Sequence, residues 1–436
     1  MSRVISYGAM DAENQSEVVI VSTSRASLFR MGHDEASESL LRPRRRAART
    51  GGGLFAGCCC VACIVLLFVI TVLLISFGYI VLAVSCFSQL HPPRLVKNYR
   101  DFEQKSFTVG FDLTAGYGTA SVSFSNGTVV DVARVEATAR YNKVMKRLSD
   151  QSSAHPTPPY YNCEASFNDV PRQWGRYFRK KAGHPASPEV AAFTDVLGKL
   201  KEQVDAFLVP YGTLEMAHVT VPHFPAIYVE DLLDAAEHAN FQLLTMPNYR
   251  PGDQAQWPIN ELNSAMAGNS IGRSHSPEDN DNSFFVLYTR TALAAFVGPF
   301  WTSTHYYAAS GVANFSIGFA ECSKQANALF EDCPPEAPYW QEVRVNLRDS
   351  LASYYLGANL ARVIVFGESS YNEVFADVLR QEVLAAQERE GNLPRLYDDF
   401  PIFSPARGAA EFGKVCARSN ISFACIPDIS PRMQGW

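Results

Sequence analysis

A Gly-Glu-Ser-Ser turn stands between an apolar strand and an amphipathic helix in the segment ARVIVFGESSYNEVFADVLRQEVL, residues 361–384. A strand, a glycine turn and a helix can expose a nucleophilic serine, and the same elements can present backbone N–H groups to a phosphate. A hydrolase turn is cramped and requires a small residue two places after its serine, whereas Tyr371 stands two places after Ser369. The spacing therefore counts against nucleophilic catalysis, and a serine hydrolase with Ser369 as nucleophile is kept as an alternative.

The length and composition describe a globular protein. Its 436 residues are 47% hydrophobic, which is enough to bury a large core in one two-lobed domain or in two ordinary domains. The 38 Lys and Arg residues are outnumbered by 44 Asp and Glu residues. We therefore expect no nucleic-acid partner, because nucleic-acid phosphates are bound by clustered basic residues.

An apolar segment, 54–87, contains no charged residue and predicts one transmembrane helix that crosses near 61–84. About 20 apolar residues are enough to cross the hydrocarbon of a bilayer. A cleaved signal peptide is the competing interpretation, but a long polar stretch precedes this segment, and the segment is longer than the usual apolar region of a signal peptide. The arginine-rich sequence RPRRRAAR before it places the N-terminus in the cytoplasm.

Two features predict that the chain beyond 87 is lumenal or extracellular. Asn-X-Ser/Thr acceptors for N-glycosylation occur at Asn126, Asn314 and Asn420. Cysteines that could close short disulfide loops also lie close together in sequence, and disulfides persist in oxidising compartments. The candidate pairs are Cys322 with Cys333 and Cys416 with Cys425, and buried free thiols are the alternative.

The rest of the chain predicts an α/β protein with two lobes. Residues 1–50 read as a disordered cytoplasmic tail and 88–106 as a linker, followed by lobe I over 107–275 and lobe II over 283–425. An Asn-Gly pair between strand-like runs predicts a β-hairpin at the start of lobe I. Ser187 and Pro188 are typical of a helix start, and strands alternate with helices from there on.

Several segments together resemble the ATPase domain of the heat-shock protein 70 family, within the actin-like ATPases, and more closely the reduced, divergent members common in fungi. The similar segments cover about 107–418 in the family's order. They are VGFDLTAGYGTASVSFSNGTV for the first phosphate loop, HVTVPHFPAIYVEDLLDAAEHANF for the following strand and helix, INELNSAMAGNSIG for the connecting helix, RVIVFGESSYNEVFADVL for the adenosine segment and ARGAAEFGKV for the closing helix.

The resemblance implies an actin-like, ribonuclease H-like fold and a site for ATP with magnesium. The residues at the matching positions, which we expect to line a nucleotide if one binds, are Asp112, Thr114, Gly116, Gly118, Gly367 and Ser369. The sequence departs from the family at the second phosphate loop, where Leu287 and Tyr288 stand at the acidic position and no glycine run follows. Glu368 replaces the second glycine of the adenosine turn.

These departures predict a membrane-anchored pseudo-ATPase or interaction module with an unknown protein partner. Without a second carboxylate for the metal and glycines that admit the γ-phosphate, hydrolysis loses its electrostatic support. An active ATPase with a chaperone-like role is the alternative, although no peptide-binding domain is expected after 418. No metal site is predicted, and His218 and His223 are interpreted as structural.

Overall fold

The computed structural model describes residues 65–78, 107–158, 160, 162–244, 259–271, 282–299, 310–325, 333–352, 360–387 and 393–418. The predicted tail, the predicted linker and Asn420 lie outside these ranges. Residues 65–78, within the predicted membrane segment, form helix α1, in which Leu67 and Phe68 are 64% and 69% exposed. Across the described ranges, no helix combines the length and the apolar character needed to cross a bilayer.

The first sheet combines an antiparallel meander with parallel strands. Its spatial order is β3-β2-β1-β4-β5, with β6 also paired to β4. Strands β1 and β3 each run antiparallel to β2, whereas β4 runs parallel to β1 and β5 runs parallel to β4. The strands are β1 (Phe107–Leu113), β2 (Tyr117–Phe124), β3 (Val129–Glu136), β4 (Met216–Val221), β5 (Gln242–Leu244) and β6 (Ile259–Asn260).

The second sheet repeats this order. Its spatial order of strands is β11-β10-β7-β8-β9. Strands β7, β8 and β9 form an antiparallel meander, and β10 and β11 lie on the other side of β7 and run parallel to it. The strands are β7 (Asn282–Tyr288), β8 (Leu293–Pro299), β9 (Ser310–Asn314), β10 (Leu360–Phe366) and β11 (Arg395–Tyr397). The duplicated order confirms the α/β class and fits the predicted two-lobed actin-like fold.

The helices follow and connect these strands. In the first half they are α2 (Ala139–Leu148), α3 (Cys163–Lys181), α4 (Pro188–Leu208), α5 (Val229–His238) and α6 (Glu261–Gly268). In the second half they are α7 (Phe319–Gln325), α8 (Tyr339–Ala352), α9 (Glu373–Gln387) and α10 (Ser404–Arg418). Helix α4 begins as predicted, because the Ser187 side chain accepts a hydrogen bond from Val190 N and Pro188 occupies the first turn.

The core explains the long apolar runs. Both faces of β7 are buried: Phe285 and Leu287 belong to the core cluster that contains the first sheet, whereas Phe284 and Val286 pack with α8 and α9. A strand buried on both faces needs apolar residues at every position, which accounts for the run FFVLY.

Helix α10 lies unusually close to the first sheet and to α6. A Cβ on Gly110 of β1 would lie 2.2 Å from Ala406 O, and one on Gly408 would lie 1.8 Å from Ser264 O. Thr108 Oγ1 donates a hydrogen bond to Ala410 O at 2.6 Å. Glycine is required at these contacts, because a side chain would force the backbones apart. The last helix of the second half is therefore packed tightly on the first half.

Candidate functional site

The β1–β2 turn, which corresponds to the expected first phosphate loop, forms its hydrogen bonds internally. Thr114 Oγ1 accepts hydrogen bonds from Gly116 N at 3.2 Å and Tyr117 N at 3.1 Å. Thr114 N in turn donates to Tyr117 O at 2.9 Å. A phosphate loop needs backbone N–H groups that point at the anion. Here two such groups are bound to the side chain of Thr114, which is itself fully buried.

The equivalent turn of the second half, β7–β8, has the same internal arrangement. Thr289 N donates to Ala292 O at 2.9 Å, and Thr289 Oγ1 accepts from Ala292 N at 3.0 Å and from Thr291 N at 3.3 Å. Thr289 thus repeats the role of Thr114. By the same register, Asp112 is paired with Thr119 in the first hairpin and Leu287 with Ala294 in the second. Leu287 therefore stands at the position that corresponds to Asp112.

The two turns touch each other. A Cβ on Gly116 would lie 2.6 Å from Thr291 Oγ1 and 3.2 Å from Thr291 Cγ2. The absence of a side chain at position 116 therefore allows the two halves of the chain to pack closely here.

Asp112 lies at the end of β1 as a buried carboxylic acid. Its side chain is 0% exposed, and neither carboxyl oxygen has a hydrogen-bond partner within the described part of the chain. Burial raises the pKa of Asp112 well above its usual range. Burial likewise raises the pKa of Glu261, in the first turn of α6, and the charge of Asp112 raises it further. The two carboxyl groups therefore form an acidic pair that favours its protonated forms.

Sequence reasoning did not single out Glu261 as a site residue. Its side chain is 1% exposed, and its Oε1 is without a hydrogen-bond partner among the described residues. The only available signal was its place in the segment INELNSAMAG, which resembles the connecting helix. The residue reaches Asp112 because β4 lies beside β1 and β6 is paired with β4 immediately before α6.

The Gly-Glu-Ser-Ser turn contacts the β7–β8 turn. Gly367 adopts a φ of 106°, and a Cβ there would lie 2.2 Å from Tyr288 O, so that glycine is required on both grounds. Glu368 Oε1 accepts a hydrogen bond from Arg290 N at 2.9 Å. Burial raises the pKa of Glu368, although this hydrogen bond opposes the shift. A backbone N–H of the second turn is thus bound to a carboxylate of the protein itself.

Ser369 follows within a short 3-10 turn, Glu368–Tyr371. Its side chain is only 6% exposed. A hydrolase nucleophile on a strand-to-helix turn has to be accessible to the substrate. This geometry disfavours the serine hydrolase alternative.

Gly118 lies away from the expected ligand position. A Cβ there would lie 2.6 Å from Val196 Cγ1 and 2.9 Å from Leu200 Cδ1, both on α4. The close packing of α4 on β2 accounts for this glycine without a ligand. Of the six predicted lining residues, Thr114 and Gly116 lie in the β1–β2 turn and Gly367 lies against the β7–β8 turn, whereas Gly118 lies under a helix.

His218 is buried and His223 is partly buried, and both favour the neutral form. Burial lowers the pKa of His218 to about 3 and that of His223 to about 4. His223 Nδ1 is hydrogen-bonded to Asn260 Nδ2 at 2.7 Å, and its ring packs on Phe296. Across the described ranges, no group of three or more His, Cys, Asp or Glu residues could hold a metal ion.

The predicted disulfide and glycosylation residues are placed as follows. Cys322 and Cys333 form a disulfide with their Cα atoms 5.7 Å apart. Asn126 is exposed in the β2–β3 hairpin turn, whereas Asn314 Nδ2 donates a hydrogen bond to Asn346 Oδ1 at 3.3 Å. The side chains of Cys416 and Cys425 lie outside those described.

The sequence matches no protein-family model and none of the curated proteins with which it was compared. Among solved structures, the chain is similar to the ethanolamine utilization protein EutJ from Carboxydothermus hydrogenoformans, with a TM-score of 0.36 and 11% sequence identity. The similarity covers 70% of this chain and 89% of that chain. At this level it supports no inference about activity.

Proposed function

We propose that the chain is a single-pass membrane protein whose C-terminal part is a degenerate actin-like, heat-shock-70-like domain that acts as an interaction module and not as an ATPase. The observation that carries this proposal is the contact between the two hairpin turns at Gly116 and Thr291. A triphosphate would have to separate these turns before it could bind.

The hydrogen bonds of the turns also support the loss of nucleotide binding. Thr114 and Thr289 each bind two backbone N–H groups of their own turn, and Glu368 binds the N–H of Arg290. A nucleotide would have to displace these internal acceptors. The charge of Glu368 would also repel phosphate oxygens.

Membrane anchoring in this proposal rests on the segment 54–87. Its described part, α1, exposes its large apolar side chains. The Cys322–Cys333 disulfide and the exposed acceptor Asn126 favour a lumenal or extracellular location for the domain, because both features belong to the secretory route. Resistance of the protein to alkaline extraction from membranes tests the anchor.

Thermal unfolding of the purified protein with and without Mg·ATP tests the pseudo-ATPase. A nucleotide at about a hundred times its Kd would stabilise the folded state by ~2.7 kcal/mol, which would raise Tm measurably. We expect no change of Tm at millimolar Mg·ATP. The Glu368→Ala variant removes the internal carboxylate, and Glu373→Ala, an exposed acidic residue nearby in sequence, is its matched control. A Tm increase for the unmodified protein would contradict the proposal.

An active ATPase is favoured by one observation, the buried carboxyl pair of Asp112 and Glu261. Its unpartnered oxygens could contact a hydrated Mg²⁺ if the turns opened. This alternative predicts phosphate release that Asp112→Ala abolishes, and also a Tm increase with Mg²⁺ and nucleotide together. The absence of turnover in pure protein would eliminate it. Labelling of Ser369 by a serine-reactive phosphonate would instead support the hydrolase.

A further inference from the structure

Helix α3 has an inverted arrangement of side chains. The residues it buries include Asp169 and Arg176, whereas its large aromatic residues point outward. The aromatic side chains are Phe167, Trp174, Tyr177 and Phe178, with exposures of 51%, 51%, 52% and 59%. We call these four residues the aromatic face. A helix on a soluble surface normally directs such residues inward, so this exposure requires an explanation.

Ion pairs with α5 hold the aromatic face in its outward orientation. Arg176 donates to Asp231 at 2.5 Å and to Asp234 at 2.7 Å, and its own side chain is only 6% exposed. Lys180 also contacts Asp234, at 2.6 Å. Arg172 binds Asp169 at 2.5 Å on the same helix and pairs with Glu230 of α5 as well. Rotating the helix to bury its aromatic residues would break the pairs that join it to α5.

The exposed rings form a continuous cluster. The ring centroids of Trp174 and Phe178 lie 5.5 Å apart, and those of Tyr177 and Phe178 also lie 5.5 Å apart. Lys181 Nζ lies 5.6 Å from the centroid of the Tyr177 ring. Arg179 and Lys181 are exposed at the same end of the helix, whereas the carboxylate of Asp169 is turned inward and paired. The outer surface of this end of α3 is therefore aromatic and cationic.

This combination of residues suits the interface of a lipid bilayer. Trp and Tyr partition to the level of the headgroups, Phe enters the upper acyl region, and Lys and Arg contact lipid phosphates. An acidic peptide would satisfy the cations but would leave the rings in water. An apolar peptide would cover the rings but would leave Arg179 and Lys181 without counter-charges.

We propose that the aromatic face docks on the surface of the bilayer in which the chain is anchored. This inference rests on the proposed membrane anchor. The linker 88–106 can extend to at most ~65 Å at about 3.4 Å per residue, so that the domain stays close to the membrane. Tethering converts docking into an intramolecular step, and a weak interfacial contact is then sufficient.

Tryptophan quenching in the full-length protein, reconstituted in phosphatidylcholine nanodiscs, tests the docking. The quencher is phosphatidylcholine brominated at acyl carbons close to the headgroup. Subtracting the Trp174→Phe signal from that of the unmodified protein isolates Trp174, since the buried Trp340 and the other tryptophans are common to both. We expect bromine to quench this difference signal and aqueous acrylamide to quench it poorly.

Two variants provide the comparison. Tyr177→Ser with Phe178→Ser is expected to abolish the bromine quenching of Trp174 without lowering Tm, because both side chains are exposed. Tyr371→Ser removes an aromatic residue that is 64% exposed on the second half and should leave the quenching unchanged. A second set of nanodiscs that contain anionic lipid shows whether charge contributes to docking. An electrostatic contribution would make the bromine quenching decrease as the salt concentration rises.

Each other outcome overturns the proposal. Strong quenching by acrylamide with none by bromine would mean that the face is in water. Protection from both quenchers would mean that a second copy or another protein covers the aromatic face. Cross-linking of the Phe178→Cys variant would distinguish these two kinds of partner. Alkaline extraction reports on the anchor separately, so that a failed anchor and a failed docking give different results.

Discussion

The carboxylate of Glu368 accepts a hydrogen bond from the backbone N–H of Arg290 at 2.9 Å, and this bond links the turn after β10 to the turn between β7 and β8. A backbone N–H at such a turn is the kind of group that binds a phosphate in nucleotide sites. The protein supplies its own anion at this position. Together with the contact between Gly116 and Thr291, this hydrogen bond supports the proposal that the domain does not bind a nucleotide.

The contact between the turns predicts strong coupling between positions 116 and 291. Gly116→Ala should lower the free energy of unfolding by about 1–3 kcal/mol, because the new Cβ lies 2.6 Å from Thr291 Oγ1. Thr291→Ala removes that atom and should recover part of the loss in the double variant. Urea denaturation of the four proteins measures the coupling. Gly198→Ala, in α4 with no atom within 4 Å of the new Cβ, is the control and should be neutral or stabilising. If the effects of Gly116→Ala and Thr291→Ala on the free energy of unfolding were additive, the contact between the two residues would be contradicted.

The buried acidic pair predicts a distinctive pH dependence. The pKa of Asp112 is raised by burial, so the folded state binds its proton more tightly than the unfolded state. Its contribution to stability is complete below the unfolded pKa of about 3.9 and is lost as pH rises through the higher folded pKa. Asp112→Asn should therefore be nearly neutral at low pH and should stabilise the folded state increasingly as the pH rises.

Denaturation of this variant over a range of pH measures the effect. Asp131→Asn is the matched control: Asp131 is paired with Arg407 at 2.7 Å, and its loss should destabilise the protein at neutral pH. If Asp112→Asn were instead destabilising above neutrality, the carboxylate would have a stabilising partner such as a cation.

The ion pairs beneath α3 predict a large effect of one arginine. Arg176→Ala should cost about 3–5 kcal/mol, because it leaves the buried carboxylate of Asp231 without its partner. Arg380→Ala disrupts a pair with Asp377 in which both side chains are about two-thirds exposed, and it should cost less than about 0.5 kcal/mol. Denaturation at neutral pH compares the two. Equal costs would show that the α3 pairs are not buried as described.

The disulfide predicts a measurable stabilisation. Replacing both Cys322 and Cys333 by alanine should lower the free energy of unfolding by about 2–4 kcal/mol. Cys163→Ala, at an exposed cysteine, should have little effect. Peptide mapping without reduction should find the two peptides linked. Alkylation of both cysteines in unreduced, unfolded protein would show that the domain resides in a reducing compartment.

The acceptor sites should differ in glycan occupancy. Asn126 is exposed in a hairpin turn, whereas the Asn314 side chain is hydrogen-bonded to Asn346 and to Ser316 N. We expect Asn126 to carry glycan more completely than Asn314 when the protein is isolated from membranes. Mass spectrometry after glycosidase treatment measures both. An unmodified Asn126 would count against a lumenal domain.

Features that depend on neighbouring residues could be predicted from the sequence. The hairpin at Asn126 and Gly127, the helix start at Ser187 and the alternation of strands and helices follow from turn chemistry, capping and periodicity, which act over a few residues. Helix α3 was not predicted. Its aromatic residues recur at helical spacing, but they lie on the exposed face, and the buried residues include Asp169 and Arg176.

Other features depend on contacts between distant parts of the chain, and only the tertiary structure decided them. Gly116 and Gly118 look equivalent in the sequence. In the structure, Gly116 packs against Thr291 in the second half of the chain, whereas Gly118 packs against Val196 of α4. Asp112 and Glu261 become a pair only because β4 lies beside β1. The sequence by itself determined the fold class and the candidate turns, since these are local properties. Whether the turns leave room for a ligand depends on how two halves of the chain pack, and no local pattern encodes that distance.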